Sequence, residues 1–355
     1  MKKRGEIMMQ CIFDRCRRRS PALLALGSTV ALVLSTACGD DPTGPGVVTA
    51  DFQAAAASIT ESEVRGHVSV LSHDSMLGRW SPSPQIEKAA SYIAGEFSRA
   101  GLRPGTDTGY LQWFEIEALG QVVESDASLA RVPGNPGGSG ASPNVIGWIQ
   151  GADPSLRDEH VVFSAHFDHI GTSSVASPTG DYIYNGADDN ASGTAALIEI
   201  AEAFGSLASP PARSVIFLAT SGEERGLLGA LHYTTDPTLP IASTLANINL
   251  DMIGRNDPAT VRAIHRSESD LGELVQSVAD LHQDIGVTPI DVTDNTLVQR
   301  SDCWAFITRG VDALFLHSGL HEDYHGLDDE VERLDSEKAA AVARLAWWVG
   351  LELVR

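Results

Sequence analysis

The sequence is poor in cysteine and poor in positive charge, and each deficit narrows what the chain can be. Only four cysteines occur in 355 residues: Cys11, Cys16, Cys38 and Cys303. The first two fall in a basic leader, the third closes an apolar run and the last stands alone. No disulfide framework can be built from them, so the fold must rest on a buried core. Cys303 reads as a buried apolar filler rather than a nucleophile. Lysine and arginine number 25 against 47 acidic residues, a formal net charge of −22, whereas nucleic-acid binding needs a basic face. Nucleic acid is therefore set aside as a partner, and the acidity fits solubility plus a site rich in carboxylates. Internal repeats are missing, and so is a second core-sized block. Apolar content of 43% in a chain of this length supports one large domain.

The first residues read as a targeting segment. Arg15, Arg17, Arg18 and Arg19 precede an apolar run from Pro21 to Ala37 that ends in small residues at Cys38. This is the pattern of a secretory signal, and the run is marginal in length for a membrane-spanning helix. The string LSTAC ending at Cys38 resembles a bacterial lipobox, in which the cysteine is lipidated. Residues 1–37 are expected to be a signal peptide, 38–58 a flexible tether and 59–355 the catalytic domain. The chain is then exported, either secreted or held at the cell envelope, with membrane contact only through a lipid on Cys38.

Helices are predicted over 61–71 and 85–100, a strand over 110–119 and a surface loop over 132–143. From Asn144 onward, apolar runs alternate with helical patterns. VVFSA (161–165), SVIFLAT (214–220), ANINL (246–250) and ALFLH (313–317) read as buried strands. The helix candidates between and after them are 191–207, 227–233, 271–286 and 336–353, the last capped by Asp335 or Ser336. Such alternation predicts an α/β fold, a three-layer αβα sandwich with a mixed, mostly parallel central sheet.

Five short runs carry the chemistry: AHFDH (165–169), GADDNASG (186–193), SGEERG (221–226), NLDMIG (249–254) and DYHGLDD (323–329). Four of them follow or sit beside a predicted strand, and ligands in open α/β sheets bind outside the carboxyl ends of strands. Catalytic zinc takes imidazole and carboxylate ligands and keeps one position open. The runs offer His166, Asp188, Glu224, Asp251 and His325, enough for two ions if one carboxylate bridges. A further carboxylate must stay off the metals to move protons, and Glu223 stands next to Glu224. Each residue alone would pass as a cap or a solvated surface group. Five such residues at strand ends, among glycines, argue for a two-metal hydrolase site.

With these runs the chain resembles the dinuclear zinc aminopeptidases related to aminopeptidase Y, bacterial leucyl aminopeptidase and glutamate carboxypeptidase II. The likeness extends from about Glu61 to the C-terminus and includes LSHDSMLGR (71–79) and RSDCWAF (300–306). It implies a zinc-peptidase (phosphorylase/hydrolase-like) fold holding two zinc ions and acting on peptides. It also implies roles. His166 and Asp251 would hold one metal, Glu224 and His325 the other, with Asp188 bridging across a cis Asp188–Asp189 bond. Glu223 would be the general base, and Asp168 would accept the other N–H of His166. Tyr324 would steady the oxyanion and Arg300 would bind substrate. The short 120–145 stretch leaves no room for the protease-associated domain that some relatives carry.

Two positions depart from the family pattern. Cys303 stands where His or Tyr is usual, and Gly326-Leu327 replaces Thr-Pro after the last histidine. His321–His325 also spells H-E-x-x-H, a zinc motif that works only on a helix. Here no helical stripe surrounds it, and His321 is expected to be structural. A carboxypeptidase or dipeptidase of the same family remains an alternative. A zinc-dependent glutaminyl cyclase is another, although that branch lacks an equivalent of His166, and so is a non-catalytic relative.

Overall fold

The computed structural model describes residues 50–117, 139–265, 270–292 and 296–355. The expectations for the signal peptide, and for lipidation at Cys38, lie outside the described residues.

The first helix, α1 (Ala50–Ser58), occupies the stretch expected to be the end of a tether. Alanine has the highest intrinsic helix propensity, and Ala55 and Ala56 are buried in the main core. The part of the expected tether from Ala50 to Ser58 is therefore a packed helix. Helix α2 (Glu61–Leu71) starts where Thr60 accepts a hydrogen bond from the Glu63 amide. Helix α3 (Pro84–Arg99) is capped by Ser83 with proline in its first turn, where its fixed φ and missing N–H cost nothing.

Among the described residues the sheet has nine strands. These are β1 (Arg103–Pro104), β2 (Leu111–Ile116), β3 (Gly140–Ile149), β4 (His160–His166), β5 (Ser214–Thr220), β6 (Thr244–Leu250), β7 (Thr260–His265), β8 (Thr288–Ile290) and β9 (Ala313–His317). Their order is β1-β3-β5-β4-β6-β9-β7-β8, with β2 pairing on β3. The central run β5-β4-β6-β9 is parallel, and antiparallel strands flank it on both sides. The end of the loop expected over 132–143 is strand instead, because Gly140–Pro143 pair in register with β2. Residues 118–138 lie outside the described residues.

The four central strands are buried on both faces, which explains why they read as continuous apolar runs. On one face Val161, Phe163 and Ala165 pack into a large cluster with α2, α3, α4 (Gly193–Gly205) and α8 (Ser336–Val354). On the other, Val162, Ile216 and Leu218 meet Tyr233 of α5 (Leu228–Thr235) and Phe306 of α7 (Cys303–Ile307). Helix α6 (Leu271–Leu281) packs against β7 and β8. The layers are thus helix, sheet, helix, as the alternation predicts. Phe163 stacks on Phe217 with ring centroids 5.7 Å apart. Gly350 lets α8 lie against this pair, since a Cβ there would collide with the Phe163 ring. Asp335, not Ser336, caps α8 by accepting from the Lys338 amide at 2.9 Å.

Candidate metal centre

Four of the five predicted ligand runs follow the C-terminal ends of parallel strands. His166 is the last residue of β4, Glu223 and Glu224 follow β5, and Asp251 follows β6 directly. His325 lies in the turns after β9. The turn between Gly186 and α4 closes over this edge. Asn190 ties it down, donating to the Leu250 carbonyl and accepting from the amides of Gly193 and Met252. Gly193 is obligatory here because a Cβ would strike the Leu250 carbonyl.

Two donor clusters result, and they share one residue. His166, Asp189 and Asp251 form the first; His169, Asp189, Glu224 and His325 form the second. His166 Nε2 is 3.4 Å from both Asp189 Oδ1 and Asp251 Oδ1. His325 Nε2 is 3.1 Å from Asp189 Oδ2 and 3.3 Å from Glu224 Oε2. Two ligands on a tetrahedral zinc, with bonds of about 2.0–2.2 Å, sit roughly 3.3 Å apart. Three of these four separations exceed the usual hydrogen-bond length, and all four suit co-ligands of one ion.

The shared carboxylate is Asp189, which corrects the expectation for Asp188. Adjacent side chains in the turn point opposite ways. Asp188 faces β6, accepting the Gly254 amide at 2.7 Å, with its other oxygen 3.4 Å from His321 Nε2. The cis bond likewise lies at Asp189–Asn190 rather than Asp188–Asp189. The other four predicted ligands, His166, Glu224, Asp251 and His325, come together as expected.

His169 was not anticipated. Its Nδ1 lies 3.0 Å from Glu224 Oε1 and 3.8 Å from Asp189 Oδ2. The first distance is that of a hydrogen bond, so His169 steadies Glu224 at the edge of the second cluster. Asp168 differs in detail from its expected role. His166 Nδ1 is closer to the Asp168 carbonyl (3.2 Å) than to its carboxylate (3.6 Å). The carboxylate instead accepts the Glu223 amide at 3.2 Å, which aims the segment carrying that glutamate.

The electrostatics favour a cation. Burial alone would lower the His166 pKa, but Glu223 and Asp251 hold it well above the usual imidazole range. For His325 burial also acts downward, and Glu224 with Asp189 outweighs it, raising the value to about 11. Asp251 Oδ1 is buried without a hydrogen-bond partner, a costly state for a carboxylate oxygen. The donors therefore fit divalent metal, and zinc suits a mixed imidazole–carboxylate set.

Around these clusters stand the remaining predicted residues. Glu223 lies among His166, Glu224, Asp302 and Asp251; burial above all pushes its carboxyl well above the normal range. Asp302 is raised to about 7, chiefly by burial, and accepts from Thr220 Oγ1. Tyr324 stacks on His325, and its hydroxyl is 3.3 Å from the Arg300 guanidinium. Cys303 is fully buried beside Ser301, with its thiol pushed up to about 12, mainly by burial. It fills space, as its sequence context implied.

The H-E-x-x-H string lies in turns rather than on a helix, so its two histidines do not form a pair. His325 enters the second cluster, while His321 faces Asp188. Arg79, in the segment LSHDSMLGR, is a buried cation beneath the site. It donates to the carbonyls of Phe167, Leu71, Asn185 and Gly186 at 2.7–2.9 Å. Burial lowers its pKa to about 10, against the pull of Asp189, Asp168, Asp329 and Glu224.

Fold and donor set together describe an α/β protein with paired metal-ligand clusters at its sheet edge. Residues 144–349 match the model of peptidase family M28, and the chain belongs to that family. It is 26% identical over 230 residues to aminopeptidase YwaD of Bacillus subtilis, covering 62% of this chain and 46% of that protein. The chain thus spans about half the length of that relative. A solved aminopeptidase from Aneurinibacillus sp. strain AM-1 superposes with a TM-score of 0.64 at 16% identity, covering 84% of this chain and 95% of the other. Porphyromonas gingivalis glutaminyl cyclase superposes with a TM-score of 0.61 at 16% identity, covering 82% and 97%. At these identities the solved structures share the fold.

Proposed function

We propose that the chain is an exported metallo-aminopeptidase that removes N-terminal residues from peptides, using two zinc ions and Glu223 as general base. The observation that carries this reading is the single carboxylate of Asp189 reaching both clusters. Zinc, when bound, would polarise the scissile carbonyl and bring the pKa of a water from 15.7 toward roughly 7. His166, Asp189 and Asp251 would hold one ion; Asp189, Glu224 and His325 would hold the other. Glu223 takes the water's proton and returns it to the leaving amine. Its raised pKa suits a group that must both accept and donate near neutrality. Tyr324, with Arg300 against its hydroxyl, donates to the oxygen that gains charge as the carbonyl carbon becomes tetrahedral.

The names of YwaD and of the Aneurinibacillus enzyme support the aminopeptidase direction. The cyclase neighbour supplies the rival reading, against which stands the first cluster built around His166. The test is metal analysis of the purified chain, paired with hydrolysis of aminoacyl anilides, their N-blocked counterparts and a peptide with N-terminal glutamine. Two zinc ions per chain and cleavage of the free-amine substrates alone are expected. Cleavage confined to blocked substrates would point to another type of peptidase, and cyclisation of the glutamine peptide to a cyclase. Export with a lipid on Cys38 forms part of the same proposal. A Cys38→Ala variant that stays in the membrane fraction would count against that part.

A further inference from the structure

Asp329 closes the run DYHGLDD and touches neither His166 nor His325, yet it is 99% buried directly behind the shared carboxylate. Its two oxygens accept the Asp188 amide, both at 3.1 Å, and its Oδ2 accepts the Asp189 amide at 3.0 Å. Its own carbonyl accepts the Ala187 amide at 2.9 Å. Three successive amides of the turn that carries Asp189 are thus held by one residue. The same residue lies four positions after His325, so it joins the loop of one ligand to the turn of another. Behind it stands Arg255, whose Nη1 is 3.8 Å from Asp329 Oδ1 and whose Nη2 pairs with Asp323. Asp323 is also bound by Arg333 and accepts the Gly326 amide through its carbonyl. These contacts hold the loop that contains the Gly326-Leu327 step.

We infer that Asp329 is a positioning residue that sets the placement of Asp189 for both metal clusters at once. The inference rests on the two-zinc reading and adds to it a residue that ligates nothing. Its consequence is specific. Loss of a true ligand such as His325 weakens one cluster, whereas loss of Asp329 lets the bridging carboxylate drift and weakens both in parallel. Hydrogen-bond partners behind metal ligands typically contribute about 10–100-fold in metal affinity.

The test is stepwise zinc binding, read by competition with a chromogenic chelator, on the wild type, Asp329→Ala, Asp329→Asn and His325→Ala. Far-UV circular dichroism and thermal unfolding of the metal-free proteins serve as controls. In Asp329→Ala both zinc dissociation constants are expected to rise by about 10–100-fold. In His325→Ala only one should rise. Asp329→Asn keeps one acceptor oxygen and should show a smaller, still parallel loss; it carries the test if the alanine variant does not fold. Unchanged constants in the asparagine and alanine variants, or a rise in a single step, would overturn the inference while leaving the two-zinc reading intact. A wild type that takes up no zinc would overturn both.

Discussion

Asp189 turns its two carboxylate oxygens to opposite partners: Oδ1 lies 3.4 Å from His166 Nε2 and Oδ2 lies 3.1 Å from His325 Nε2. Asp188, one peptide away, faces neither. Replacing Asp189 with Ala is expected to abolish binding of both zinc ions. Asp188→Ala should keep the stoichiometry but lower stability by about 1–3 kcal/mol, because the buried Gly254 amide loses its acceptor. Metal content by mass spectrometry and thermal unfolding separate the two variants. Equal zinc loss in both would return the bridging role to Asp188.

Glu223→Gln keeps the shape of the side chain and removes its basicity. Turnover should fall by about 10²–10⁴-fold with zinc content unchanged. Near-wild-type kcat in this variant would take the proton-transfer role away from Glu223. The exposed Glu322 in the H-E-x-x-H string makes a useful contrast, since Glu322→Gln should remain active.

Tyr324 and Arg300 sit together above the second cluster. If the hydroxyl acts on the transition state, Tyr324→Phe should lower kcat by roughly 10²-fold with little change in KM. A change confined to KM would make the tyrosine a substrate-binding group instead.

His160, at the far end of β4, is buried with Nε2 2.9 Å from Thr244 Oγ1. Burial lowers its pKa from 6.5 to about 4. The folded state therefore binds fewer protons than the unfolded state between those values. The stability associated with neutral His160 is complete above pH 6.5 and is lost as pH falls toward 4. The loss amounts to about 3 kcal/mol at roughly 1.4 kcal/mol per unit. Denaturant unfolding of the wild type and His160→Gln over this range should show a flatter acid limb in the variant. Parallel curves would place the acid sensitivity elsewhere.

Much of this architecture was legible from residue pattern alone. The central strands read as apolar runs because helices cover both their faces, and α2 coincides with its predicted span because Thr60 marks its start. The alanine-rich α1 was missed because its composition matches a linker; only the neighbouring helices show what buries Ala55 and Ala56. At the site, His166, Glu224, Asp251 and His325, four of the five predicted donors, fall within the two clusters. The fifth was displaced by one residue, since an Asp-Asp pair offers no pattern signal for which member turns inward. That choice is made by Asn190 and Gly254, whose hydrogen bonds draw the turn onto β6. His169 closes the run AHFDH, and sequence reasoning assigned it no role. Asp329 stood at the end of a quoted run, and its value depends on a turn some 140 residues earlier in the chain.

The docking of α1 onto the main core also bears on reach. On the proposed lipidation of Cys38, the contour length from Cys38 to Ala50 is at most about 40 Å. Under that proposal, such a length would hold the enzyme close to the bilayer. Substrates would have to diffuse to that narrow zone, and large folded proteins would be at a disadvantage against small peptides.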